Sequence, residues 1–187
     1  FVFILPLVFT VFVFSGWFIH LFFGREYVGG ATALQILLVG TLCFTVAKMN
    51  NLILTGIGRQ KTVTGLILAA ALVNVIANIV LIPRYGLAGA ASATALSYFV
   101  ALLLSTRFIT RSVKVSFPVL TWLKIAVAGV VFVGVVTVTK NALDLNPWIE
   151  LVISTGAALL VYAAVLYVLR VLDIRELKKY FSLAVTS

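Results

Sequence analysis

The stretch LIPRYGLAGAASATALSY, residues 81–98, decides how the chain is read. Pro83 cannot continue a helix ladder, so Pro83, Arg84 and Tyr85 mark the end of one apolar run. Gly86, Gly89, Ala90 and Ala93 then open a second run that has scarcely a bulky side chain in its first turns. In hydrocarbon no water drives helices together, and small residues at three- and four-residue spacing let backbones approach. The stretch therefore predicts the end of one membrane helix, a short turn, and a helix gripped closely by its neighbours.

The rest of the chain supports a membrane setting. Apolar residues make up 63% and charged residues 10% of the 187, against about half and about a quarter in soluble domains. A helix needs roughly 20 apolar residues to cross a hydrocarbon core about 30 Å thick, and six runs qualify: 1–23, 31–57, 62–82, 86–106, 117–139 and 148–169. The fold class is an all-α membrane protein with six transmembrane helices. The first run is too long for a signal-peptide core and carries Trp17 and His20 where a cleavage site needs small residues, so it counts as a span. The chain opens inside an apolar stretch without a starting methionine, and the expectation is a C-terminal part of a longer polypeptide. Cys43, the single cysteine, precludes an intrachain disulfide and a cysteine-rich metal site.

Basic residues give an orientation. Alternate connections hold Arg59 and Lys61, then Arg107, Arg111, Lys114 and Lys124, then Arg170, Arg175, Lys178 and Lys179, while the others hold only Arg25, Arg84 and Lys140. By the positive-inside rule the first set faces the cytoplasm, and so does the C-terminus. The net charge of +9 then follows from the anionic inner leaflet, with membrane lipids rather than nucleic acid as the partner. Gly24 and Gly29-Gly30 bound an outer loop, and Gly56-Ile57-Gly58 breaks the second helix. Tyr27, Tyr85 and Trp148 fall at outer boundaries and Trp122 near an inner one, where interfacial aromatics belong. Three segments result: four helices in 1–110, two more in 111–170, and a basic amphipathic tail in 171–187 that Asp173 and Glu176 open with a capping-box pattern.

The order of features is more specific than any one of them. Gly24-Arg25-Glu26-Tyr27, then Leu54-Thr55-Gly56 ahead of Gly58-Arg59-Gln60-Lys61, then Asn74 and Asn78, then Ile82 through Ala91 together resemble the C-terminal lobe of polysaccharide flippases. These are the Wzx-type members of the multidrug/oligosaccharidyl-lipid/polysaccharide exporter superfamily. The resemblance covers roughly residues 20–110; the last two helices match only in number and hydrophobicity. It implies a two-lobe, MATE-like transporter whose N-terminal lobe lies outside this chain. It further implies alternating access around a midplane site, moving a polyprenyl-diphosphate-linked oligosaccharide across the plasma membrane. No fixed set of functional residues comes with the resemblance.

Candidate residues come from the chain itself. Thr41, Thr45, Lys48, Asn51 and Thr55, spaced by four, three, three and four, share one face of the second run. A lysine at a helix centre costs about 2.5–3.5 kcal/mol on insertion scales and usually faces a bundle interior or a watery cavity. Its compact ammonium suits a phosphate oxygen, so Lys48 is the leading substrate contact, with snorkelling toward Arg59 as the plain alternative. Asn74 and Asn78 share a face of the third run and either bond sugar hydroxyls or hold helices together. Asn50 points away from the Lys48 stripe, as a packing contact. Thr94, Ser97, Tyr98 and Ser105 make a milder face whose hydroxyls bond back to their own helix.

No cofactor is indicated. Acid/base sugar chemistry needs converging carboxylates or histidines, whereas Glu26, Asp144, Glu150, Asp173 and Glu176 all lie in loops or at span ends and His20 stands alone. The same placement argues against a multidrug exporter coupled through a buried acid. A peptidoglycan-precursor flippase shares the architecture and the anionic substrate, and a structural membrane subunit is the remaining alternative.

Overall fold

In hydrocarbon every backbone N–H and C=O must find its partner within the protein, which leaves helices and closed barrels as the spanning structures. The computed structural model describes residues 4–113, 119–142 and 146–169, and its regular elements are all helical. In chain order they are α1 (Ile4–Val13), α2 (Ser15–Phe23), a 3₁₀ turn (Arg25–Gly30), α3 (Ala31–Gly56), α4 (Gln60–Ser112), α5 (Val119–Ala142) and α6 (Pro147–Val168). Four of these helices are long and apolar enough to cross a membrane, or five if α1 and α2 count together as one broken span. They fall into two compact units, Ser15–Ser116 on one hand and Phe1–Phe14 with Phe117–Ser187 on the other. The expected tail, 171–187, lies outside the described residues.

Three of the six expected runs take a different form. The first is not one continuous helix: it breaks at Phe14, whose N–H still bonds to the Thr10 carbonyl at 3.0 Å, and a new helix starts at Ser15. The Ser15-Gly16 pair is the kind of dipeptide at which helices bend sharply. The third and fourth runs are joined in α4, and the helix passes through Pro83 and turns at Gly86 instead, where φ is 54° and ψ −127°. Proline removes one ladder bond, but only glycine enters that backbone region without strain, so the reversal comes three residues after the proline.

The reversal is complete. A straight helix of 53 residues would reach about 80 Å, and Asn74 and Thr94 would stand about 30 Å apart along it. Instead the Asn74 amide donates to the Thr94 hydroxyl at 3.4 Å. The two halves of α4 are thus a helical hairpin and supply two passes. Gly89 sits where the chain doubles back, and a Cβ there would run into the Leu81 carbonyl. Ala93 is fully buried and Ala90 half-buried, while Gly86 is exposed and open, serving the turn rather than the packed face.

In the same unit α3 packs along α4 through small residues. Its buried positions are Ala33, Gly40, Ala47, Asn50 and Leu54, a near-heptad spacing that keeps one stripe facing a partner helix. A Cβ on Gly40 would lie 2.9 Å from Ala95 Cα. The end of α3 is a Schellman motif: Gly58 takes φ 80°, its N–H bonds to the Thr55 carbonyl at 3.0 Å and the Arg59 N–H to the Leu54 carbonyl at 2.9 Å. The glycine-bounded break expected at residues 56–58 is therefore present.

The other unit is built on α5 and α6 with α1. Every fourth residue of α6, Ser154, Ala158, Tyr162 and Leu166, is buried, as are Ile125, Ala128, Phe132 and Val136 of α5. Phe132 joins Phe9 and Tyr162 in an aromatic row, at ring separations of 6.4 and 6.0 Å. Gly129 leaves the room for Phe9 that a Cβ would take. Asn146 caps the start of α6 by accepting from the Trp148 N–H at 3.2 Å, with Pro147 in the first turn. At the other end the Lys124 ammonium donates to the Leu169 carbonyl at 2.9 Å, satisfying one of the bare carbonyls of that terminus.

Gly86→Ala is expected to cost about 1–3 kcal/mol through backbone strain, and Gly89→Ala to destabilise by collision with Leu81. Gly65→Ala, in open space inside α4, should instead stabilise by about 0.5–1 kcal/mol. Thermal unfolding of the detergent-solubilised full-length protein checks the order.

Candidate functional site

The hairpin of α4 and the side of α3 enclose a cleft of about 380 Å³, near the lower end of the roughly 300–1,000 Å³ usual for small-molecule sites. Residues three and four apart line it from each helix: Phe44, Ala47 and Asn51 from α3, Ala70, Asn74 and Val75 from the first half of α4, Thr94, Ser97, Tyr98 and Ala101 from the second. Among the described residues, its walls carry no ionised side chain. They offer amides, hydroxyls and one aromatic pair, Phe44 and Tyr98, whose rings stack at 4.6 Å with planes 29° apart.

The amides and aliphatic hydroxyls of the cleft form one network, with Asn51 outside it. Asn74 is its centre: its Nδ2 donates to Thr94 Oγ1 and to Ser97 Oγ, both at 3.4 Å, and its Oδ1 accepts from Asn78 Nδ2 at 2.9 Å. The two hydroxyls donate in turn to carbonyls of their own helix, Thr94 to Ala90 at 3.0 Å and Ser97 to Thr94 at 2.7 Å. A bond of 3.4 Å is long for an N–H···O contact, so the Asn74 donors are held loosely. Asn51 is the exception: its Oδ1 is buried and has no hydrogen-bond partner. An amide oxygen left this way costs about 1–3 kcal/mol, and a water or a ligand hydroxyl that donates to it recovers that cost.

The stripe on α3 is therefore divided. Asn51, at its edge, lines the cleft; Lys48 is exposed and does not. Thr45 donates to the Thr41 carbonyl at 2.8 Å and Thr41 to the Leu38 carbonyl at 2.7 Å, so both hydroxyls are turned onto their own helix. Thr55 is exposed near the end of α3. Asn50 is buried and donates to Ser105 Oγ and Thr106 Oγ1 at 3.2 and 3.1 Å, a helix-to-helix bond. His20 is exposed and accepts from Arg25 Nε at 3.1 Å. No three His, Cys, Asp or Glu side chains come together among the described residues.

One aromatic member of the cleft was not singled out by its sequence. Phe44 lies seven residues before Asn51, which places it on the same helical face; extending the Asn51 face by one heptad would have found it. Thr94 and Ser97 do bond to their own helix as expected, and they also accept from Asn74.

The chain has distant relatives among curated proteins. It is 29% identical over 164 residues to the uncharacterized membrane protein MJ1068 of Methanocaldococcus jannaschii, covering 88% of this chain and 32% of the relative. It is 26% identical over 164 residues to the probable low-salt glycan biosynthesis flippase Agl15 of Haloferax volcanii, covering 87% of this chain and 34% of the relative. The chain thus spans about a third of the length of these curated relatives. No protein-family model matches it, and no solved structure does. With its apolar helices, this similarity makes it a multi-pass membrane protein with distant homology to a flippase.

Replacing Asn74 by Ala removes three hydrogen bonds at once and leaves the Asn78 donor unpaired. The expected loss is about 1–2 kcal/mol, in the range of interhelical bonds in bilayers. Asn78→Ala, which removes a single bond, should cost less; reversible unfolding in mixed micelles measures both.

Proposed function

We propose that the chain forms the C-terminal lobe of a Wzx-like flippase that carries a polyprenyl-diphosphate-linked oligosaccharide from the inner to the outer leaflet for surface glycan assembly. The observation that carries this reading is Lys48. It lies well inside α3, is exposed, and among the described residues no hydrogen bond or ion pair reaches its ammonium. An ammonium facing lipid at that depth is unfavourable by about 2.5–3.5 kcal/mol, so this face of α3 borders a polar path or a further part of the protein. Snorkelling offers only part of the relief, because α3 runs on from Lys48 to Gly56, about 12 Å along a helix.

A diphosphate crossing the hydrocarbon has the same difficulty with the opposite sign. A cation at mid-depth lowers its barrier and requires no chemical step, which is what a flippase needs. The similarity to a probable glycan biosynthesis flippase supports the same substrate class. Among the described acids, Glu26 is exposed in the 3₁₀ turn and Glu150 stands in the first turn of α6. Among the described residues, then, the charge well inside a spanning helix is the Lys48 cation, which favours an anionic lipid-linked cargo over a cation-coupled drug exporter. The rest of a protein as long as the relatives would supply the opposing lobe, and the two would rock about the shared site.

In proteoliposomes holding the full-length protein, Lys48→Ala is expected to slow translocation of a fluorescent polyprenyl-diphosphate oligosaccharide by about tenfold or more, with Lys48→Arg retaining part of the rate. Equal rates for wild type and the alanine variant would favour a structural subunit. The orientation predicts that a cysteine placed at Ser187 reacts with an impermeant maleimide only in inside-out vesicles.

A further inference from the structure

The Lys48 face accounts for the anionic part of the cargo and leaves the cleft unassigned. We propose that the cleft between α3 and the α4 hairpin is a separate subsite for a neutral, hydroxyl-bearing sugar ring, with Asn51, Asn74 and Ser97 as its polar contacts and the Phe44–Tyr98 pair as its stacking wall. This rests on the flippase reading and adds a second point of recognition to it.

The choice of ligand follows from what the cleft lacks and what it offers. Among the described residues no ionised group lines it, so a diphosphate or a free phosphate would be desolvated there without a counter-charge. A polyprenyl tail would strip water from Asn51, Asn74, Thr94 and Ser97 and return no hydrogen bond. A sugar ring meets both halves of the lining, because it has C–H faces and a rim of hydroxyls. The C–H face suits the rings of Phe44 and Tyr98, which line the cleft and stack on each other at 4.6 Å.

The hydrogen bonding discriminates further. The unpartnered atom is an acceptor, Asn51 Oδ1. Ionised phosphate oxygens accept and cannot donate, whereas a sugar hydroxyl does both. The oxygen is covered in this state, but the terminal torsion of asparagine is soft and broad, so a turn of the amide presents it to the cleft. Across from it, the two long bonds from Asn74 to Thr94 and Ser97 are ones that a ligand hydroxyl can replace, accepting from Asn74 and donating to Ser97. The site is thus preformed in shape and one donor short.

The test uses the full-length protein in nanodiscs and two fluorescent probes, polyprenyl diphosphate alone and polyprenyl diphosphate bearing a neutral disaccharide. Wild type should bind the sugar-bearing probe more tightly. Asn51→Leu should remove about tenfold of that preference, the worth of roughly one hydrogen bond, while raising the thermal midpoint because a buried unpaired acceptor has gone. Phe44→Ala should reduce the preference as well, and Lys48→Ala should weaken both probes alike. If Asn51→Leu and Phe44→Ala keep the full preference while Lys48→Ala weakens both probes, the sugar subsite is wrong and the flippase reading stands. If wild type binds neither probe, the flippase reading fails and takes the subsite with it. The rise in midpoint for Asn51→Leu shows that lost preference is not lost folding.

Discussion

Gly40 presents no Cβ to Ala95, and the arrangement around α3 depends on that absence. Without a hydrophobic force between helices in lipid, attraction comes from close contact and from polar groups that meet. The contact at Gly40 sets α3 against the second half of α4 closely enough for Asn50 to reach Ser105 and Thr106, and for Phe44 to lie on Tyr98. The same helices are held less tightly where the first half of α4 lies beside them, and the cleft opens there. Small residues thus determine both where the unit is solid and where it has space.

Polar residues in this unit divide into two kinds by the same rule. Asn50 spans from α3 to α4 and donates to Thr106 and to Ser105, whose hydroxyl also bonds to its own helix. Asn50 is a fastening, while Asn74 spans the α4 hairpin through two longer bonds of 3.4 Å that a ligand can replace. Asn51, next in sequence to Asn50, turns to the cleft and has an unused acceptor. One residue along a helix separates a fastening from a contact available to a ligand, since adjacent positions lie about 100° apart around the axis.

The helical class and most boundaries were legible because they depend on local chemistry. Runs of apolar residues gave α3, the two halves of α4, α5 and α6, and Gly56 and Gly58 marked a stop that the backbone realises with a positive φ at Gly58. The break at Phe14 was not legible, since a Ser-Gly pair within an apolar run is compatible with an unbroken helix. Pro83 was read as the end of a helix because its missing donor is visible in the sequence, while the special backbone of Gly86 emerges only when the chain has to double back. Within the site, the shared face of Asn74 and Asn78 could be seen from spacing. Which member of the Lys48 stripe would turn into a cleft could not, because that depends on how α3 is rotated against α4, a matter of packing rather than period. The last two helices match the resemblance only in number and hydrophobicity, and the stripe that each buries becomes visible in the packing.

The hairpin of α4 also orders events in time. A chain emerges from the ribosome N-terminus first, so the half carrying Asn74 and Asn78 is made before Thr94 and Ser97 exist. During that interval Asn78 can already donate to Asn74, but the Asn74 donors have no protein acceptor on a later strand of the hairpin. Leaving the insertion machinery alone would strand those N–H groups in hydrocarbon, at a free-energy cost that falls once the second half arrives. The favourable course is for the two halves to be retained and released into the bilayer as a pair, which makes Gly86 a hinge for assembly as well as a turn in the finished fold.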